Sequence, residues 1–153
     1  MSIYTITLLE QDFFTKNPAN SKKIGIYKRR FMAKILFVED DPLIVKIYTT
    51  RLKADGYEVF SADNGEAGLK LAEENLPDLI VLDIMMPKMD GFAVLERLRA
   101  HPQMQKTPII LYSNLAHEDE ITRAKTLGAT EFIVKANLSP TEMVEKIKQY
   151  LQK

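Results

Sequence analysis

Cysteine and tryptophan are both absent from the 153 residues. The missing cysteine excludes disulfides, thiolate nucleophiles and zinc–thiolate sites, and it fits a reducing compartment, so a cytoplasmic location is expected. Histidine is almost absent too. His101 and His117 have no metal-ligand spacing and read as surface residues. No apolar run approaches the length of a membrane span. The stretch Met1 to Glu10 has neither a basic leader nor a long apolar core, so it is no secretory signal. No internal repeat or low-complexity tract occurs.

An excess of one charge sign is also lacking: 21 basic residues face 21 acidic ones. The distribution is nevertheless uneven. Residues 1–32 hold Lys16, Lys22, Lys23, Lys28, Arg29 and Arg30 against Glu10 and Asp12, a net +4, which leaves −4 for residues 33–153. An acidic domain argues against direct nucleic-acid binding as its own task. The tract Lys28-Arg29-Arg30 reads as a solvated tail. Asn17-Pro18-Ala19-Asn20 breaks any element near it, and Met32 stands directly before the first domain strand. Residues 1–32 are therefore expected to be a flexible extension or a start-site artefact, and residues 33–153 the domain.

From Lys34 onward, short apolar runs alternate with amphipathic stretches. Strands are predicted at 34–38, 57–60, 78–82, 108–112 and 130–134, and helices near 42–54, 64–75, 91–100, 117–127 and 140–151. Five βα repeats in about 120 residues predict a doubly wound α/β domain with a five-stranded parallel sheet. The punctuation agrees: Asp41-Pro42 and Ser139-Pro140-Thr141-Glu142 open helices, and Gly56 and Gly128 stand just past two others. The last helix should bury Met143, Ile147, Tyr150 and Leu151. The seven methionines read as core filler.

The acidic residues fall at strand ends. Glu39-Asp40-Asp41 follows Ile35-Leu36-Phe37-Val38, and Asp83 follows Leu79-Ile80-Val81-Leu82. Ligands of open α/β sheets bind at the carboxyl ends of the strands, so these clusters should converge. Converging carboxylates raise one another's pKa unless a cation compensates. Mg²⁺, a hard cation that takes oxygen ligands and commonly accompanies phosphate, is the economical choice.

Residues 33–153 resemble the receiver domain of two-component response regulators. The resemblance rests on the block Ile35 to Pro42, on Pro77 to Gly91, on Pro108 to Ser113, and on Gly128-Ala129 with Phe132 to Lys135, in family order and spacing. It implies the flavodoxin-like strand order 2-1-3-4-5. Asp83 would then be the phosphoacceptor, fed by a sensor histidine kinase or a histidine phosphotransfer protein. Asp40 would ligate Mg²⁺ directly, Glu39 through water, and Met85 by its backbone carbonyl. Lys135 would pair with the acceptor and then with phosphoryl oxygens. Ser113 and Phe132 would form the switch. Asp41 is expected to cap its helix instead of binding metal.

The sequence departs from the family pattern at Ala136, where proline is usual, often after a cis peptide; at Phe132, often tyrosine; and at Asn114, usually a smaller residue. Met85 and Leu115 occupy the two positions that influence attack by water on the acyl phosphate. Neither can orient a water, so slow autodephosphorylation is expected. The resemblance implies a signalling domain that catalyses only its own phosphorylation and dephosphorylation. Its output would leave by the face of the fourth helix, fifth strand and fifth helix to an unknown protein target, with a homodimer on activation compatible. No DNA-binding module is expected after Lys153. Two alternatives differ in class: a phosphorylation-independent adaptor, and a Mg²⁺-dependent aspartyl-phosphate phosphatase. Met85 argues against the second, since it stands where such an enzyme needs a second aspartate.

Overall fold

Strands buried on both faces must be apolar at successive positions, and this requirement selects the centre of the sheet. The computed structural model describes residues 33–115 and 117–153, so the expectations for residues 1–32 lie outside the described residues. Within them run β1 (Lys34–Val38), α1 (Pro42–Ala54), β2 (Glu58–Ala62), α2 (Gly65–Asn75), β3 (Leu79–Leu82), α3 (Gly91–Ala100), β4 (Ile109–Ser113), α4 (Glu118–Thr126), β5 (Glu131–Val134) and α5 (Pro140–Leu151). A 3₁₀ turn, Lys135–Asn137, links β5 to α5. All strand pairs are parallel, in the order β2-β1-β3-β4-β5.

Side chains alternate across a strand, so each central strand feeds two cores. Ile35, Phe37, Val81, Ile110 and Tyr112 meet Tyr48 and Leu52 of α1 and Met143, Val144 and Ile147 of α5. Leu36, Val38, Ile80, Leu82 and Leu111 meet α2 to α4 through Ala72, Phe92, Leu95, Leu98 and Ala124. No described helix is long and apolar enough to cross a membrane.

Local signals set the element ends. Asp41 accepts from the Leu43 and Ile44 N–H groups at 2.9 and 3.4 Å, so it is the cap of α1. Ser139 and Glu142 form a reciprocal capping box on α5. Gly56 and Gly128 adopt φ of 91° and 90°, and each passes its N–H and the next residue's back into its helix. Leu76, with φ 47°, takes the left-handed turn after α2 without being glycine and returns only its own N–H, to the Ala72 carbonyl, which the sequence did not signal.

β2 starts one residue later and ends two later than its hydropathy predicts. The Tyr57 N–H closes the end of α1 on the Leu52 carbonyl, and Ser61 and Ala62, weak strand formers, pair with Phe37 and Val38. The 3₁₀ turn after β5 was not foreseen, and every described peptide bond, Lys135–Ala136 included, is trans. Val144 adds to the predicted buried face of α5, where Tyr150 and Leu151 are only partly covered.

Candidate phosphoryl and metal site

The register β1–β3 pairs Val38 with Leu82, so the next residues, Glu39 and Asp83, emerge side by side at the carboxyl edge. Backbone bonds fix both departures: Asp83 N–H donates to the Val38 carbonyl and Glu39 N–H to the Ala62 carbonyl, each at 2.9 Å. β4 and β5 pair Ser113 with Val134, which delivers Lys135 to the same edge. The loop after Asp83 is folded back by the Gly91 N–H, which donates to the Ile84 carbonyl at 2.9 Å. A Cβ on Gly91 would lie 2.2 Å from the Asp83 carbonyl oxygen, so only glycine fits against the strand end.

Glu39 and Asp83 are buried, 3 % and 5 % exposed, while Asp40 is exposed. Glu39, Asp40 and Asp83 each offer a carboxylate oxygen within 4.8 Å of the others. The Lys135 ammonium stands 2.6 Å from Glu39 Oε2 and 3.3 Å from Asp83 Oδ2. Family resemblance had paired Lys135 with Asp83; in this structure Glu39 is its nearer partner. Glu39 Oε1 also accepts from the Asp41 N–H at 3.1 Å. The Met85 N–H is 3.4 Å from Asp83 Oδ1 while its side chain is 60 % exposed, so Met85 meets the site through its main chain.

Burial dominates the electrostatics. It pushes the Asp83 carboxyl above its ordinary value, against the opposing Lys135 charge and the Met85 and Ile84 N–H groups. Burial does the same to Glu39, and the Asp83 charge adds to it, while Lys135 and the Asp41 N–H pull the other way. For Lys135, burial would lower the pKa, yet the hydrogen bond to Glu39 and the charges of Asp83 and Glu39 outweigh it and hold the ammonium above its usual range. Two buried carboxylates thus share one cation, a site short of positive charge. The donors are all oxygen, with no thiolate or imidazole, which suits a hard divalent cation such as Mg²⁺.

Ser113 is fully buried at the end of β4 and accepts from the Leu115 N–H at 3.2 Å, so its hydroxyl is engaged by its own loop. Phe132, in register with Leu111, is half-buried against the α2–α4 core. Asn114 is exposed. Tyr48 and Tyr112 escaped the sequence reading. They are buried, their hydroxyls are 2.8 Å apart, and the Lys135 ammonium lies 5.5 Å from the Tyr112 ring centroid. In the sequence Tyr48 stands only as one residue of the predicted helix 42–54, and Tyr112 as one of the block Pro108 to Ser113.

A family model described as the response regulator receiver domain matches residues 35–148. Among curated proteins, a probable transcriptional regulator ycf27 of Porphyridium aerugineum is 38% identical over 120 residues, 78% of this chain and 48% of its own length. The alkaline phosphatase synthesis transcriptional regulatory protein PhoP of Bacillus subtilis is also 38% identical over 120 residues, covering 78% of this chain and 49% of its own length. The chain thus spans about half the length of the curated relatives it matches. Among solved structures, the chemotaxis protein CheY4 of Vibrio cholerae superposes with a TM-score of 0.72 at 30% identity, over 78% of this chain and 98% of that one. The receiver domain of Klebsiella pneumoniae RstA gives 0.70 at 28% identity, over 78% and 99%.

Proposed function

Since this chain belongs to the response regulator receiver family, we propose that Asp83 accepts a phosphoryl group from a histidine kinase or a histidine phosphotransfer protein. The observation that carries this reading is the Lys135 ammonium, 2.6 Å from Glu39 and 3.3 Å from Asp83, beside three carboxylates that can share a cation. An Asp83 oxygen attacks phosphorus, the bond from phosphorus to the donor's nitrogen or acyl oxygen breaks, and the leaving group keeps the electron pair. A carboxylate is a weak nucleophile, so the work of the site is positioning and charge neutralisation. Lys135 supplies a compact cation for the phosphoryl oxygens. Mg²⁺, held by Asp40, Asp83, the Met85 main chain and, through water, Glu39, would add the positive charge that two buried carboxylates need.

Phosphate at Asp83 would draw the Ser113 hydroxyl inward from its bond with Leu115, and Phe132 would follow. This biases a two-state equilibrium of the α4–β5–α5 face, which we propose as the output surface toward a protein target in the cytoplasm. The decisive experiment is incubation with acetyl phosphate, with and without Mg²⁺, read by intact mass. The expected result is a Mg²⁺-dependent gain of one phosphoryl group in the wild type and none in Asp83→Asn. A folded, Mg²⁺-binding protein that gains nothing from acetyl phosphate or from a kinase would move the reading to a phosphorylation-independent adaptor.

A second reading of the output comes from the relatives. The two curated relatives named above are called a probable transcriptional regulator and a transcriptional regulatory protein, and one from Synechocystis, RpaA, is called a DNA-binding dual master transcriptional regulator. Control of transcription is therefore a candidate process for this chain. A gel-shift titration of the phosphorylated protein against genomic fragments separates direct DNA contact from signalling through a protein.

A further inference from the structure

Lysine reaches its site on a flexible four-carbon stem, and holding it in one place costs side-chain entropy. Lys135 opens the 3₁₀ turn that leaves β5, and the residues after it, Ala136 and Asn137, are exposed. Its two carboxylate partners pull it toward the metal edge. Lys135 also lines a groove of ≈ 290 Å³ with Ile44, Tyr48, Tyr112 and Leu138, a largely apolar lining that offers the ammonium no carboxylate. Beside the ammonium stands the Tyr112 ring, its centroid 5.5 Å from the Lys135 nitrogen, within the reach of a cation–π contact.

That ring is itself held. Its hydroxyl pairs with the Tyr48 hydroxyl at 2.8 Å, and the two rings meet edge to face with centroids 5.9 Å apart. Tyr48 in turn stacks on Phe37, 5.5 Å between centroids and 10° between planes. Phe37 lies on β1, two residues before Glu39. The contacts therefore close a circuit from β1 through α1, β4 and β5 back to β1.

We propose that Tyr112, braced by Tyr48, is a positioning residue that keeps the Lys135 ammonium on Glu39 and Asp83. This rests on the phosphoacceptor reading of Asp83. The ring does the work, and its edge-to-face packing on Tyr48 holds it in place. Tyr112→Leu, which removes the π face and widens the groove, slows phosphorylation by acetyl phosphate roughly fivefold. Tyr112→Phe keeps the ring and stays within about twofold of the wild type.

A double-mutant cycle separates positioning from general damage. In a Lys135→Ala background, Tyr112→Leu should cost nothing further, because the group it positions is gone. An equal slowing in both backgrounds, or none in the Lys135 protein, overturns the proposal. Should Tyr112→Leu fail to fold, Tyr112→Met, unbranched, more adaptable in packing and likewise without a π face, is read the same way. The Lys135 ammonium resonance gives a readout that needs no phosphotransfer. It should be observable in wild type and Tyr112→Phe and lost to fast exchange with water in Tyr112→Leu; an unchanged resonance in Tyr112→Leu also overturns the proposal. If the wild type takes no phosphoryl group, the phosphoacceptor reading fails, and this resonance alone decides the positioning role.

Discussion

Asp83 weakens the unliganded fold at neutral pH. Its carboxyl is 5 % exposed and its pKa is raised by burial, so the folded state binds its proton more tightly than the unfolded chain does. Below the ordinary carboxylate value both states are protonated and nothing is lost. As pH rises through that value toward the raised one, the unfolded chain ionises first and stability falls. Asp83→Asn removes the penalty. Without Mg²⁺ it is expected to stabilise by about 1 kcal/mol at pH 7, and the advantage should vanish as pH falls through about 4. Chemical unfolding at pH 7 and at pH 3.5 checks both parts. Lys135 acts with the opposite sign: its raised pKa contributes stability that is full below the ordinary lysine value and is lost as pH climbs through the folded one. At the same scale, Met85 and Leu115 leave water without an orienting group. Met85→Asn should shorten the acyl-phosphate lifetime at least several-fold, measured as decay of the phosphorylated mass, and a wild-type half-life of only seconds would contradict the expectation.

The elements depend on a few junctions. A Cβ on Gly91 would press into backbone atoms of two residues: the Asp83 carbonyl oxygen at 2.2 Å and carbonyl carbon at 2.9 Å, and the Ile84 Cα at 2.7 Å. Neither can yield without moving the end of β3. Gly91→Ala is therefore expected to cost more than about 2 kcal/mol and to slow phosphorylation as well, since Asp83 moves with its strand. Ser139→Ala, which touches none of the three carboxylates, removes one half of the capping box on α5 and should cost about 1 kcal/mol with phosphorylation unchanged. Comparing the two variants by unfolding and by acetyl phosphate labelling separates damage to an element from damage to the site. Helix ends were largely legible because caps and glycines act through adjacent backbone groups. Strand ends were less so: Ser61 and Ala62 are extended because β1 runs alongside them, a fact about a partner 24 residues earlier in the register. Leu76 shows the same limit, holding a left-handed turn that no glycine announced.

For the whole molecule, the site is a charge problem shared by four strands. A divalent cation bound only by the folded state stabilises it by mass action, about 2.7 kcal/mol at a hundred times the dissociation constant. Mg²⁺ should thus raise the thermal midpoint of the wild type, and raise it less in Asp40→Asn and Asp83→Asn. An identical rise in all three would show that the ion binds elsewhere. The cation also relieves the penalty of burying Glu39 and Asp83 together, so the apparent destabilisation of the site is expected to shrink as Mg²⁺ is added.

Periodicity, turn residues and strand-end carboxylates determined by themselves that this chain forms a parallel α/β sheet, and where its acidic site would open. They suffice for that because hydrophobic alternation, caps and turns are local, and because parallel strands deliver their carboxyl ends to one edge. The partners within the site were decided only by the tertiary structure. Lys135 and Glu39 are 96 positions apart, and which carboxylate the ammonium approaches more closely depends on strand register and burial. Tyr48 and Tyr112, 64 positions apart, look in sequence like ordinary core aromatics. Their hydroxyl pair, and the ring set beside Lys135, exist because Tyr48 of α1 reaches over the sheet to Phe37 of β1 and Tyr112 of β4, and no local pattern encodes those contacts.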